Sequence, residues 1–134
     1  MSEKWLRKYE REVLHEEYKA GVTYLTFPAF SDTDLVSHGF STRLGGVSEG
    51  KYATMNFTFT RGDNPDHVKE NYRRMAAALE VDDSRMVLSW QTHTTTVKKV
   101  LVEDAGKGIT KERDYEDVDG LITNVPGITL VTFY

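Results

Sequence analysis

The stretch Pro65-Asp66-His67-Val68-Lys69-Glu70-Asn71-Tyr72-Arg73-Arg74-Met75-Ala76-Ala77-Ala78-Leu79-Glu80 decides the fold class, because it is the clearest helical period in this 134-residue chain. Val68, Tyr72, Met75, Ala76 and Leu79 follow one another at spacings of four, three, one and three, so they form a single apolar stripe. The start of the helix is well marked. Asn64 can cap the first free N–H groups, Pro65 suits the first helical position, and Asp66 complements the positive helix end. Arg73 and Arg74 fall toward the polar side, for solvent or for pairing with Asp or Glu.

On both sides of this helix the sequence reads as strands. Residues 22–27, Val-Thr-Tyr-Leu-Thr-Phe, are β-rich and stop at Pro28, which cannot donate to a central ladder. Residues 35–43 and 54–60 read as a second and a third strand. Between them lies Leu44-Gly45-Gly46-Val47-Ser48-Glu49-Gly50, a loop or wide hairpin in which backbone angles or close approach exclude a Cβ. Beyond the helix, residues 86–90 are a short apolar strand, 95–102 resume strand chemistry, and 120–123 and 128–133 are two further strands. The charged, glycine-bearing segment 105–117 is expected at the surface. Trp5, Tyr9 and Val13 recur at four-residue spacing among many charges, so residues 3–19 read as an amphipathic helix or an extension laid across the domain. Many strands around one firm helix predict an α+β fold with a mixed β-sheet, divided into an amino-terminal helix or extension over 1–21 and a domain over 22–134.

Composition narrows the function classes. Hydrophobic residues at 39% and charged residues at 28% match a soluble globular chain. A net charge of −4 argues against broad nucleic-acid binding, which needs a basic surface to displace counterions, but leaves room for a local basic pocket. The charged start, Met1-Ser2-Glu3-Lys4-Trp5-Leu6-Arg7-Lys8, lacks the apolar stretch of a secretory signal, and no run reaches membrane-spanning length. A cytoplasmic protein without membrane contact is the expectation. With no cysteine, any metal site within the chain must use His, Asp and Glu.

Among titratable residues, His93 stands out at the end of the 86–90 strand, flanked by Gln91, Thr92 and Thr94. From the residues alone it is either an ordinary strand-end histidine or a metal ligand or proton carrier. His15 and His67 sit in charged surroundings and read as solvated. His38 precedes Ser41, Thr42 and Arg43, which either bind an anion through hydroxyls and a guanidinium or form a polar strand edge leading into a turn. The acidic run Asp114, Glu116, Asp117 and Asp119 lacks the glycine and terminal glutamate of a calcium loop and reads as a solvated loop.

Five blocks taken together resemble the YfiH/YlmD family: residues 37–50, Ser-His-Gly-Phe-Ser-Thr-Arg-Leu-Gly-Gly-Val-Ser-Glu-Gly; Met55-Asn56-Phe57; Arg61-Gly62-Asp63; Gln91-Thr92-His93; and Asp119-Gly120-Leu121-Ile122-Thr123-Asn124. That family has been labelled a multicopper polyphenol oxidase or laccase, a purine nucleoside phosphorylase with adenosine deaminase activity, and a peptidoglycan editing factor. The resemblance implies a YfiH-like fold and a zinc held by the histidine of a Gln-x-His motif, a cysteine of an Ala-Asp-Cys motif and a later histidine. Only the first ligand, His93, lies in this chain. Residues 128–134 form an apolar strand that stops where the second motif would follow, so the chain is expected to be the amino-terminal half of the family domain, incomplete as an enzyme by itself.

The same resemblance implies a nucleoside and phosphate as small-molecule ligands. Phosphate would displace the base at the ribose carbon, or zinc-activated water would displace the amine of adenosine. It assigns Ser41, Arg43 and Asn56 to phosphate or substrate, His93 to zinc, and Gln91 to orienting substrate or ligand. Thr94 stands where many relatives have glycine, which narrows the implied pocket. Two other readings remain: an enzyme that edits muropeptide precursors, and a non-catalytic half-domain that self-associates or pairs with a carboxy-terminal half. The copper-oxidase label fits the residues less well, because laccase copper centres need closely placed His and Cys ligands.

Overall fold

A computed structural model describes residues 11–134. Trp5 and Tyr9, and with them residues 3–10 of the proposed amino-terminal helix or extension, lie outside the described residues. Where that segment is described it is not helical: His15–Lys19 form strand β1, hairpinned antiparallel onto β2, Val22–Thr26. The turn passes through Ala20 and Gly21, both at positive φ. The boundary placed after residue 21 therefore falls inside a hairpin. A short edge, β3 (Phe40–Ser41), pairs antiparallel with the other side of β2. Between β2 and β3, the single helical turn α1, Pro28–Ser31, begins at the predicted proline.

Helix α2, Pro65–Leu79, matches the predicted stripe and its cap. The Asn64 side chain accepts from the Asp66 N–H at 2.9 Å, and Glu80 ends the helix in the left-handed conformation. After α2 come two parallel pairs. β4, Met86–Leu88, pairs with β7, Thr129–Val131, and β5, Val97–Lys99, pairs with β6, Gly120–Ile122. Parallel and antiparallel pairings together make the α+β, mixed-sheet architecture.

One helix organises two apolar clusters. Val68, Tyr72 and Ala76 pack with Met86, Leu88 and Ile109 beside the β4–β7 pair, while Met75 and Ala78 pack with Val22, Tyr24 and Met55 beside the hairpin. Phe57 touches both clusters. Tyr72 is buried between the rings of Phe57 and Phe59, and its hydroxyl donates to the Phe57 carbonyl at 2.9 Å. Burial of a ring of this size contributes about 2–3 kcal/mol.

Three strand predictions shrink for one physical reason: side chains, rather than a neighbouring strand, take the backbone bonds. The 35–43 strand reduces to Phe40–Ser41, because the Phe27 N–H beyond β2 is met by the His38 ring at 2.7 Å. The 54–60 strand is absent. There Thr58 N–H donates to the Asn56 side chain, and the carbonyls of Asn56 and Phe57 accept from Asn71 and Tyr72. The 95–102 strand is limited to β5, with the Thr96 N–H before it donating to the Thr94 hydroxyl at 3.4 Å and the Leu101 N–H after it to the Asp104 carboxylate at 2.8 Å.

Segment 105–117 is not simply a surface loop. Ile109 is buried, the Gly106 N–H donates to the Met86 carbonyl, and the Leu88 N–H donates to the Lys107 carbonyl, so this loop flanks β4 opposite β7. Among the described residues no helix is long and apolar enough to cross a membrane.

Candidate functional site

His93 sits on a loop that leaves the end of β4 and wraps around a single carboxylate. Asp119 accepts from the backbone N–H groups of Thr92 at 2.8 Å, His93 at 3.0 Å and Thr94 at 3.0 Å. Its own N–H donates to the Thr96 carbonyl at 3.1 Å. These bonds hold His93 at φ 63°, a left-handed conformation that costs a residue with a Cβ about 1–2 kcal/mol. The His93 side chain is left exposed. The Thr92 hydroxyl adds a bond to the Asp117 carboxylate at 2.7 Å, and the Thr94 hydroxyl reaches Asp119 at 3.1 Å. Thr94, the departure from the family pattern, is thus built into the clamp.

The backbone N–H groups of Thr92 and Thr94, foremost among its partners, hold the Asp119 carboxyl below the usual carboxylate range. By sequence Asp117 and Asp119 belong to a solvated acidic loop; the structure makes them the supports of the His93 loop. The signal for this role is weak in the sequence, because the N–H partners of Asp119 lie more than twenty residues earlier.

Gln91 ties this loop to the last strand. Its side-chain oxygen accepts from the Phe133 N–H at 2.8 Å and the Ser89 hydroxyl at 3.2 Å. The Ser89 N–H donates to the Val131 carbonyl, which brings the end of β7 alongside the approach to His93. Among the described residues no group of three or more His, Cys, Asp or Glu is placed to hold a metal ion. The donor set of the described residues therefore does not complete a zinc site.

The glycine loop forms a second element. Gly46 passes so close to the Thr54–Met55 backbone that a Cβ would lie 2.1 Å from the Thr54 carbonyl oxygen. Gly45 combines φ +95° with a Cβ position 2.5 Å from the Gly21 carbonyl oxygen. Fully buried Asn71 of α2 fastens this loop, accepting from the Val47 N–H at 2.8 Å and donating to the Ser48 hydroxyl at 2.9 Å and the Asn56 carbonyl at 2.7 Å. Ser48 in turn donates to Asp63 at 2.6 Å.

The bond from Ser48, then that from Asn56, holds the Asp63 carboxyl below its usual range. A carboxylate with a depressed folded pKa stabilises the fold above its unfolded pKa of about 3.9, and that contribution is lost as pH falls through the folded value. Thermal midpoints should accordingly drop below about pH 4, and Asp63→Asn should flatten this dependence. An unchanged acid limb in that variant would remove Asp63 from the account.

Beside this loop, Arg43, Lys51, Tyr52, Ala53, Met55, Asn56 and Arg61 line an open cleft of about 460 Å³. Arg43 is placed by its backbone, whose carbonyl accepts from the N–H groups of Thr54 at 3.0 Å and Met55 at 3.1 Å. Asn56 reaches the cleft, but its amide is engaged by Asp63 and Thr58. Ser41, on β3, is not part of the lining. Thr42 is turned to the Thr23 carbonyl at 2.6 Å, and His38 to Phe27, so the Ser41, Thr42 and Arg43 hydroxyl and guanidinium cluster does not assemble as a unit. Arg61 belongs to the Arg61-Gly62-Asp63 block, which carries no assigned role for it, and Lys51 lies just past the glycine loop, so in the sequence they are separate charges on either side of the 54–60 segment.

Residues 37–134 match the family described as multi-copper polyphenol oxidoreductase laccase. The chain is 33% identical over 109 residues to a purine nucleoside phosphorylase of Bacteroides thetaiotaomicron, covering 79% of this chain and 40% of that protein. It is 38% identical over 87 residues to purine nucleoside phosphorylase YfiH of Escherichia coli, covering 65% of this chain and 32% of that protein. The crystal structure of YlmD from Geobacillus stearothermophilus superposes with a TM-score of 0.74 at 28% identity, over 92% of this chain and 45% of that one. The Bacillus licheniformis protein YfiH gives a TM-score of 0.76 at 26% identity, over 89% of this chain and 43% of that one. The chain thus spans less than half the length of these relatives.

Proposed function

The chain belongs to the multi-copper polyphenol oxidoreductase laccase family, and from that premise we propose that it supplies one part of a zinc-dependent purine nucleoside phosphorylase site, with His93 as one metal ligand. The observation that carries this reading is the clamp at Asp119, which holds an exposed histidine in a strained left-handed backbone at the mouth of the β4–β7 pair. Strain of this kind persists only where the surroundings over-determine it, and it concentrates at functional sites. Relatives named purine nucleoside phosphorylase support the substrate class.

Each residue then has a distinct task. His93 presents its ring, Asp119 and Gln91 position the loop that carries it, and Arg43 binds phosphate at the cleft. Asn56 shapes the cleft through its bonds to Asp63 and Thr58. Zinc, when bound, supplies Lewis-acid chemistry for phosphorolysis, or lowers the pKa of water for adenosine deamination. Its other ligands come from outside these 134 residues. The copper-oxidase description draws little from this donor set of four histidines and no cysteine, in which His38 is already committed to Phe27.

The test uses a protein carrying this chain at the full length of its relatives. Metal content is measured, and inosine and adenosine are offered with phosphate before and after chelation. Stoichiometric zinc is expected, with base release that stops on chelation and returns with added zinc. Base release indifferent to chelation would remove the metal, and turnover of muropeptide precursors in place of nucleosides would remove the substrate class.

A further inference from the structure

Phosphate binding at Arg43 leaves two neighbouring cations without a role. Lys51 and Arg61 line the same cleft, and no carboxylate does. None of the three forms an ion pair among the described residues, whereas Arg73, Arg74, Lys98 and Lys107 each meet a carboxylate. The cleft is also pre-shaped. The Tyr52 hydroxyl donates to the Arg61 carbonyl, and the Lys51 ammonium lies 5.1 Å from the centre of the Tyr52 ring, so one tyrosine meets the Arg61 backbone and the Lys51 cation.

In a chain of net charge −4, three like charges facing one cleft repel one another until an anion enters. One phosphate is satisfied by a single guanidinium fork. Three cations match a group carrying roughly three negative charges, which is a diphosphoryl group near neutral pH. We propose that this cleft binds the diphosphoryl group of a phosphorylated ligand, with Lys51 and Arg61 holding the phosphoryl beyond the one at Arg43. The inference rests on the reading above only for the role of Arg43.

Calorimetric titration of the 134-residue chain with inorganic phosphate, inorganic pyrophosphate, ADP and adenosine, in about 0.15 M salt, tests it. Pyrophosphate, ADP or both should bind at least about tenfold more tightly than phosphate, and adenosine no better than phosphate. Tighter binding of ADP than of pyrophosphate identifies a nucleotide as the ligand; the reverse identifies free pyrophosphate. The double variant Lys51→Ala, Arg61→Ala should lose at least about tenfold of that affinity. Both side chains are exposed, so its thermal midpoint and circular dichroism should not move. Affinities within about threefold of phosphate, or a double variant that binds like the parent, overturn the proposal. These affinities are read without turnover, so failure of phosphorolysis in the longer protein leaves them intact.

Discussion

Exchange of His93 for glycine, in a protein at the full length of the relatives, is expected to lower inosine phosphorolysis at least about 100-fold. The fold should stay as stable as before, or gain up to about 1 kcal/mol. The two effects separate because the backbone and the ring do different things. At φ 63° the backbone carries a cost that a residue without a Cβ escapes, and the Asp119 carboxylate grips N–H groups that glycine also has. The exposed ring gives the fold little, so its removal touches the chemistry alone. His93→Ala completes the comparison: it lacks the ring but retains the strain, so it should be equally inactive without the gain in stability. Activity that survives in either variant would take His93 out of the mechanism, and a fall in the thermal midpoint of the glycine variant would mean that the ring has a structural task.

A second large effect is expected from adding one methyl group at Gly46. The new Cβ would stand 2.1 Å from the Thr54 carbonyl oxygen and 2.6 Å from the Met55 Cα, both backbone atoms that no rotamer change can move aside. The Thr54–Met55 segment must shift, and it is held by two N–H bonds to the Arg43 carbonyl, so Arg43 shifts with it. Gly46→Ala should cost about 3 kcal/mol of stability or more, the upper range for overpacking, and should weaken anion binding at the cleft. Denaturant unfolding and phosphate titration measure the two losses. A variant as stable as the parent would show that the loop adapts freely, contrary to the clamp formed by Asn71, Val47, Ser48 and Asn56. Gly50 provides the control, because a Cβ there meets nothing within 4 Å and only its positive φ opposes substitution.

Helix α2 and the glycine loop were legible from residues alone because their causes are local. A stripe at helical spacing, an asparagine cap followed by proline, and glycines bunched where a chain must turn or pass close all act over a few positions. The short apolar strands at 86–88 and 129–131 were legible too, as continuous runs that only a buried sheet accepts. His93 was visible as a polar interruption directly after such a run.

Other features depended on partners distant in sequence, and only the tertiary structure decided them. Composition marks residues 15–19 as charged, yet pairing with Val22–Thr26 makes them a strand. Alternation favours a strand at 54–60, but Asn71 and Tyr72, arriving from α2, take its carbonyls first. Asp119 reads as one more solvated acid until folding delivers three N–H groups to it, and Lys51 and Arg61 read as separate surface charges until the loop between them folds back. Periodicity and capping are properties of neighbours along the chain, whereas a hydrogen bond or a shared cleft exists only once the chain has brought its two sides together.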